Sequence, residues 1–292
     1  MSNILVTGAN GQLGNEVRKI SADSRNNYIF TDVTDLDITD SAAVREYIFS
    51  RAVDTVINCA AYTNVEKAEE DTEAAERING QAAGNLAAAC REKGARLIHI
   101  STDYVFRGDK NLPYREDDAV DPLGVYGKTK LKGEQAIESS GCRYLIFRTA
   151  WLYSVSGSNF VKTMWRLTAE RDTLQVVFDQ VGTPTYAGDL AELIFQIVEN
   201  GRFPQQSGIY HFSNEGVCSW YDFAVEIAKL SGHGRCLILP CHSCEFPSRV
   251  TRPAFSVLDK TKVKRDFKVN IPHWRESLVK CAVELKELNN GK

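Results

Sequence analysis

No apolar run in this chain approaches the ~20 residues that a membrane-spanning helix needs. The first residues, Met1-Ser2-Asn3-Ile4-Leu5-Val6-Thr7-Gly8, enter a strand pattern at once. They lack the basic n-region and the apolar h-region of a secretory signal. A basic excess is missing too: 35 Lys and Arg stand against 38 Asp and Glu, for a net charge of −3. A nucleic-acid partner or an anionic membrane surface would call for the opposite balance. No internal repeat or low-complexity tract interrupts the chain. These absences predict a cytoplasmic protein, monomer or homodimer, whose partner is a small molecule. The eight cysteines are mostly far apart. Cys59, Cys90 and Cys281 lie in apolar stretches, so in a reducing compartment they read as small core residues.

What is present is a regular alternation. Short apolar strands are expected at residues 4–6, 28–30, 54–58, 96–101 and 144–148. Between them the pattern predicts helices from about Gly11 to Asp23, over 41–50, over 72–93 closed by Gly94, and over 123–139. Continuous apolar strands between amphipathic helices imply a parallel sheet covered on both faces. The fold class is therefore α/β, a doubly wound, Rossmann-like sheet. After Arg148 the rhythm loosens. Helices are expected at 159–170, 188–199 and 220–231, and a strand at 174–178. The run Ile209-Tyr210-His211-Phe212 is expected to return to the main sheet. Residues 233–260 read as loop-rich. The expected organisation is a dinucleotide-binding domain over 1–150, with return segments around 184–212. A smaller α/β substrate lobe fills most of 151–292.

Gly8-Ala9-Asn10-Gly11-Gln12-Leu13-Gly14 joins the first strand to the first helix. Glycines there allow a tight turn and a close approach to a pyrophosphate. The helix N-terminus then offers free N–H groups to the phosphates. The spacing is G-x-x-G-x-x-G, and its position between strand and helix is what makes it informative. Asp32 ends the second strand, where a carboxylate would bond the adenosine ribose and repel a 2′-phosphate. NADH and NADPH both stay open, since Asp35 and Asp37 crowd the same loop.

Tyr126 and Lys130 are four apart on a predicted helix and share one face. A free phenol is a poor acid near neutrality, and a nearby ammonium can tune it for proton transfer. The fourth strand ends in Ser101-Thr102-Asp103-Tyr104. This puts the Thr102 hydroxyl at the carboxyl edge of the sheet, where such folds bind ligands.

Together these pieces resemble the extended short-chain dehydrogenase/reductases. Within that group, five stretches resemble the dTDP-4-dehydrorhamnose reductases: 101–106 (STDYVF), 126–131 (YGKTKL), 147–151 (FRTAW), 179–185 (DQVGTPT) and 252–256 (RPAFS). The resemblance covers essentially the whole chain. It implies reduction of the C4 keto group of dTDP-4-dehydro-L-rhamnose with NAD(P)H, with Thr102, Tyr126 and Lys130 carrying the chemistry. It places Ala60, Ala61 and Tyr62 against the cofactor and Asp37 and Ile38 beside its adenine. Tyr126 and Lys130 also face the cofactor. Val65, Tyr104 and Trp151 would line the sugar, with Asp103, Asn159 and Arg252 on the substrate side. Some members of the family are described with a Mg²⁺-linked dimer built from glutamates. Glu16 matches one ligand position, but Gly188 departs at another.

Two alternatives stand beside this reading. One is another sugar-nucleotide enzyme, such as an epimerase; a 4,6-dehydratase would typically carry Thr-Asp-Glu where this chain has Thr102-Asp103-Tyr104. The other is a non-catalytic protein like the regulatory subunit of methionine adenosyltransferase, which shares the Tyr-Gly-Lys-Thr-Lys-Leu stretch. Cys241 and Cys244, with His242 between them and Cys236 upstream, carry zinc-ligand residue types. A structural zinc site usually shows two separated ligand pairs, so loop thiols are the expected reading.

Overall fold

The computed structural model describes residues 1–205, 207–233, 235–246 and 248–290. Its first half runs β1 (Asn3–Thr7), α1 (Gln12–Ile20), β2 (Asn27–Thr31), α2 (Ser41–Ser50), β3 (Thr55–Asn58), α3 (Val65–Glu70), α4 (Thr72–Glu76), α5 (Ala82–Lys93), β4 (Arg96–Thr102), α6 (Val125–Ser140) and β5 (Arg143–Thr149). The second half runs β6 (Leu152–Tyr153), α7 (Phe160–Glu170), β7 (Thr173–Val177), β8 (Val181–Gly182), β9 (Thr185–Tyr186), α8 (Ala187–Glu199), β10 (Gly208–His211), β11 (Cys218–Ser219), α9 (Trp220–Ser231), β12 (Leu237–Cys241), α10 (Thr261–Phe267) and α11 (Trp274–Asn290).

Six strands form one parallel sheet in the order β10-β5-β4-β3-β1-β2. Alternate residues of each strand face opposite sides, and both sides are covered. Ile4 and Val6 pack with Leu190 and Ile194 of α8. Leu5, Val56, Leu97 and Ile146 pack with Ile48, Leu86 and Ile137 from α2, α5 and α6. Each such side chain, fully buried, contributes about 1.5–3 kcal/mol. This two-sided burial is why the strands read as apolar runs without alternation. The strand order reverses between β1 and β3, and a ligand crevice is expected outside the carboxyl ends at such a point.

β10 joins the sheet beside β5, with Ile209 opposite Ile146. A third core gathers Tyr153, Val161, Phe223, Ile227, Trp274 and Leu278 from α7, α9, α11 and the short strands.

Helices α3, α10 and α11 and the short strands β6, β8, β9 and β11 form where the sequence pattern predicts no element, and two expected stretches take another form. The helix expected over 72–93 contains a π-helical turn, Arg77–Gln81, between α4 and α5. That turn presents the buried Asn79, whose carboxamide oxygen accepts from Tyr62 N–H at 2.9 Å and whose NH₂ donates to Tyr62 O at 3.1 Å. Periodicity cannot show such a bulge, because the apolar face continues through it. The stretch expected to be loop contains β12, which pairs in parallel with β7 from Leu237↔Thr173 to Cys241↔Val177. Only Ile238 and Cys241 of β12 turn inward, with Cys236 buried just before it. Pro240 further weakens its strand signature.

Candidate active site

A cleft of about 790 Å³ opens at the carboxyl ends of β1, β3, β4 and β5. Gly8, Gly11, Gln12 and Leu13 form one wall. Gly8 has φ +64°, and a Cβ there would stand 2.6 Å from the Ala60 backbone. Only glycine lets the loop turn left-handed with β3's continuation pressed against it. No side chain caps the start of α1 at Gly11, so the helix end faces the cleft with its donors free for an anion. Asp32 accepts from Asn10 N–H at 3.0 Å and from Val33 N–H at 2.8 Å, which holds its carboxylate on the cleft wall. Asp37, Ile38, Ala60 and Ala61 line the same half. A loop that tolerates no Cβ, an uncapped helix start and a fixed carboxylate together fit a dinucleotide.

Tyr126 and Lys130 line the centre of the cleft from the first turns of α6, with Thr102 across from them at the end of β4. The helix is fixed from behind. Glu134 on α6 forms a buried pair with Arg148 of β5 at 2.7 Å and accepts from Ser101 Oγ at 2.5 Å. Burial raises the Tyr126 hydroxyl well above its ordinary range, partly offset by the neighbouring Thr102 hydroxyl. The phenol is therefore held protonated, as a proton donor must be. Burial pushes Lys130 the other way, down to about 8, with Glu134 opposing. Its Nζ donates to Ile100 O at 2.6 Å. Thr102 Oγ1 donates to Asp103 Oδ1 at 3.1 Å. Asp103 is buried and its carboxyl is pushed up to about 6 by desolvation, its other oxygen having no hydrogen-bond partner among the described residues.

The remaining wall is aromatic and basic. Trp151 takes φ +48°, a left-handed conformation for a bulky residue. Its ring stacks on Trp220 with centroids 3.6 Å apart and planes 10° from parallel. Phe160 packs on Trp220 with ring centroids 4.6 Å apart. Tyr104 meets Tyr126 edge-on at 5.5 Å. Arg252 lines the cleft and pairs with Glu66 of α3 at 3.1 Å. Glu66 also accepts from Ser248 Oγ at 2.8 Å and Arg249 N–H at 3.1 Å.

The family model for the RmlD substrate-binding domain matches residues 1–287. The chain belongs to the RmlD family. A dTDP-4-dehydrorhamnose reductase of Aggregatibacter actinomycetemcomitans is 39% identical over 286 residues, covering 95% of this chain and 97% of its own. A solved dTDP-4-dehydrorhamnose reductase of Clostridium acetobutylicum superposes with a TM-score of 0.92 at 44% identity, covering 97% of this chain and 99% of that one. Another, of Bacillus anthracis in complex with NADP, gives 0.92 at 37% identity, covering 97% and 100%.

Within this RmlD chain the cleft brings together most of the residues singled out in the sequence, including Val65, Asn159 and Arg252 on the substrate side. Three cofactor candidates stand beside it. Asn10 is exposed and offers its backbone N–H to Asp32. Gly14 lies under the loop, where a Cβ would overlap Ala9. Tyr62 engages Asn79 through its backbone, and its buried hydroxyl has no partner among the described residues. Sequence reasoning missed Trp220, Arg77 and Glu66. Trp220 opens α9 after a capping box at Ser219, a helix-start signal that carries no hint of a site.

Glu16 is buried, and its carboxyl is raised by burial and by the charges of Glu284 and Asp189. Lys19 pairs with Glu284 at 2.8 Å. At Gly188 a Cβ would overlap the Tyr186 ring, which explains a glycine there. His242 lies against Phe178 and 3.6 Å from Asp179, while Cys241 is buried in β12 and Cys244 is exposed. Among the described residues no group of three or more His, Cys, Asp or Glu is placed to hold a metal ion. Among them, too, no helix is long and apolar enough to cross a membrane.

Proposed function

We propose that this chain reduces the C4 keto group of dTDP-4-dehydro-L-rhamnose to give dTDP-L-rhamnose, using NADPH or NADH. The observation that carries this is one cleft in which the glycine loop adjoins Thr102, Tyr126 and Lys130, in a chain of the RmlD family. Residues 1–150 hold the cofactor, and most of 151–292 holds the sugar nucleotide. The reduced nicotinamide, when bound, supplies the hydride. The chain's own residues do the rest. Thr102 turns its one hydroxyl proton from Asp103 to the keto oxygen, and Tyr126 gives that oxygen its proton. A phenol held protonated by burial suits the donor role. Lys130 supports Tyr126, and Trp151 offers a broad apolar face to the deoxysugar and its methyl group. Arg252, on the cleft wall, offers its guanidinium to the diphosphate. The chain acts in the cytoplasm, as a monomer or homodimer, on a free nucleotide sugar.

The test mixes purified protein, the 4-keto sugar nucleotide and NAD(P)H, and follows absorbance and product. Stoichiometric consumption with release of dTDP-L-rhamnose is expected. An epimerase would show no net consumption, and a regulatory subunit no turnover. Unchanged absorbance with demonstrably active substrate overturns the reading.

A further inference from the structure

Arg252 belongs to the second half of the chain, yet its side chain is anchored to the first. Helix α3 opens with Val65 on the cleft wall, and the next residue, Glu66, turns to the loop that carries Arg252. Glu66 Oε1 accepts from Ser248 Oγ at 2.8 Å and from Arg252 Nη2 at 3.1 Å. Glu66 Oε2 accepts from Arg249 N–H at 3.1 Å. Among the described residues no other carboxylate pairs with Arg252. Tyr104 also lies beside Arg252: burial raises its phenol, and the guanidinium opposes the rise.

The two oxygens of one carboxylate thus tie the loop backbone at Arg249 and the head of Arg252 to the same point on α3. A guanidinium carries five N–H donors in a rigid fork. One goes to Glu66, and others stay available to the oxygens of a ligand, since Arg252 is half-buried on the cleft wall. A loose arginine gives up rotamer freedom when it grips an anion, whereas a tethered one has already given it up.

We propose that Glu66 is a positioning residue for Arg252, which holds the guanidinium where it grips the diphosphate of the sugar nucleotide and so sets the affinity for that group. The inference rests on the reading that Arg252 meets the diphosphate. Charge alone argues for the opposite effect. A carboxylate beside the guanidinium offsets part of its pull on a phosphate, so a mere counter-charge would tighten anion binding when removed. Positioning predicts weaker binding, and the sign of the change separates the two.

Glu66→Gln removes the charge and keeps the shape. Its single carbonyl oxygen cannot replace two carboxylate oxygens, so either Arg249 N–H or Arg252 comes to face an NH₂. Titration calorimetry of the cofactor-loaded protein with dTDP reads the result. Affinity for dTDP is expected to fall by roughly three- to thirtyfold, with cofactor affinity and kcat at saturating sugar nucleotide little changed. Glu66→Asp keeps the charge but draws it back by one methylene, and it should weaken dTDP in the same direction. Glu70→Gln removes an equal charge one turn further along, where the carboxylate meets the exposed Arg249 side chain, and should leave dTDP affinity unchanged. Arg252→Ala should weaken dTDP by itself, and adding Glu66→Gln to it should change nothing further. Unchanged or tighter dTDP binding by Glu66→Gln overturns the proposal. So does an equal loss with Glu70→Gln, or a Glu66→Gln loss that persists once Arg252 is gone, which would make Glu66 only a prop for the loop. Any of these in a protein that turns over the ketosugar sinks this inference alone. A wild type that binds no dTDP sinks the proposed function, and this inference with it.

Discussion

Two residues carry sharp expectations. Tyr126→Phe removes the acidic hydroxyl and keeps the ring. Turnover should fall by about 10²–10⁴-fold, the range for a general acid, while cofactor affinity largely survives. Steady-state kinetics with a cofactor titration check both, and near wild-type turnover would remove Tyr126 from the mechanism. Asp103 makes a prediction about pH. Its carboxyl rises from 3.8 unfolded to about 6 folded, so the folded state prefers it protonated. Stability from this group is present below 3.8 and is lost as pH climbs through 6. At most about 3 kcal/mol is at stake, since one unit is worth 1.36 kcal/mol. Asp103→Asn should escape that loss. Denaturant melts should show the variant gaining on wild type between pH 4 and pH 7 and holding the gain above. Parallel profiles would show that the carboxylate is stabilised by something the geometry does not contain.

At the scale of elements, legibility followed burial. The strands of the main sheet and helix α9 were readable because both sheet faces, or one clear helix face, are apolar. The π-turn at Arg77–Gln81 and strand β12 were not, because neither leaves a periodic mark. The same holds in the site. Tyr126 and Lys130 stand out as candidates through their four-residue spacing on α6, and Thr102 through its place at the end of β4. Trp220 reaches the cleft only through the packing of α9 against α7, which no local pattern encodes. Yet Trp220 is what backs Trp151 in its left-handed conformation, a geometry that costs about 1–3 kcal/mol. Stacking of this kind is worth about 0.5–1.5 kcal/mol beyond burial. Trp220→Ala should therefore raise KM for the sugar nucleotide by roughly tenfold and leave KM for the cofactor unchanged. Gly182→Ala should act in the same direction, since a Cβ there would stand 2.8 Å from the Trp151 ring. Equal effects on both KM values would show that the wall does not belong to the sugar.

Across the whole molecule, charge bears on which dinucleotide the cleft prefers. The chain is net negative, and Asp32 and Asp37 line the β2 side of the cleft, with Asp35 accepting from Asp32 N–H behind them. The carboxylate of Asp32 is pinned there by two backbone N–H groups, so it cannot swing away cheaply. A 2′-phosphate entering this rim meets fixed negative charge. Arg77, exposed on the π-turn, brings a cation to the same cleft and acts on Asp37. The balance predicts that kcat/KM for NADH is at least comparable to that for NADPH at low ionic strength. Repulsion between exposed charges is screened over about 10 Å at 0.1 M salt, so added salt should improve NADPH relative to NADH. Asp32→Ala should do the same without salt. Measuring kcat/KM for both cofactors at low and high ionic strength checks the argument. A strong NADPH preference that weakens as salt rises would reverse it, and would assign the phosphate to Arg77 in place of repulsion by the aspartates.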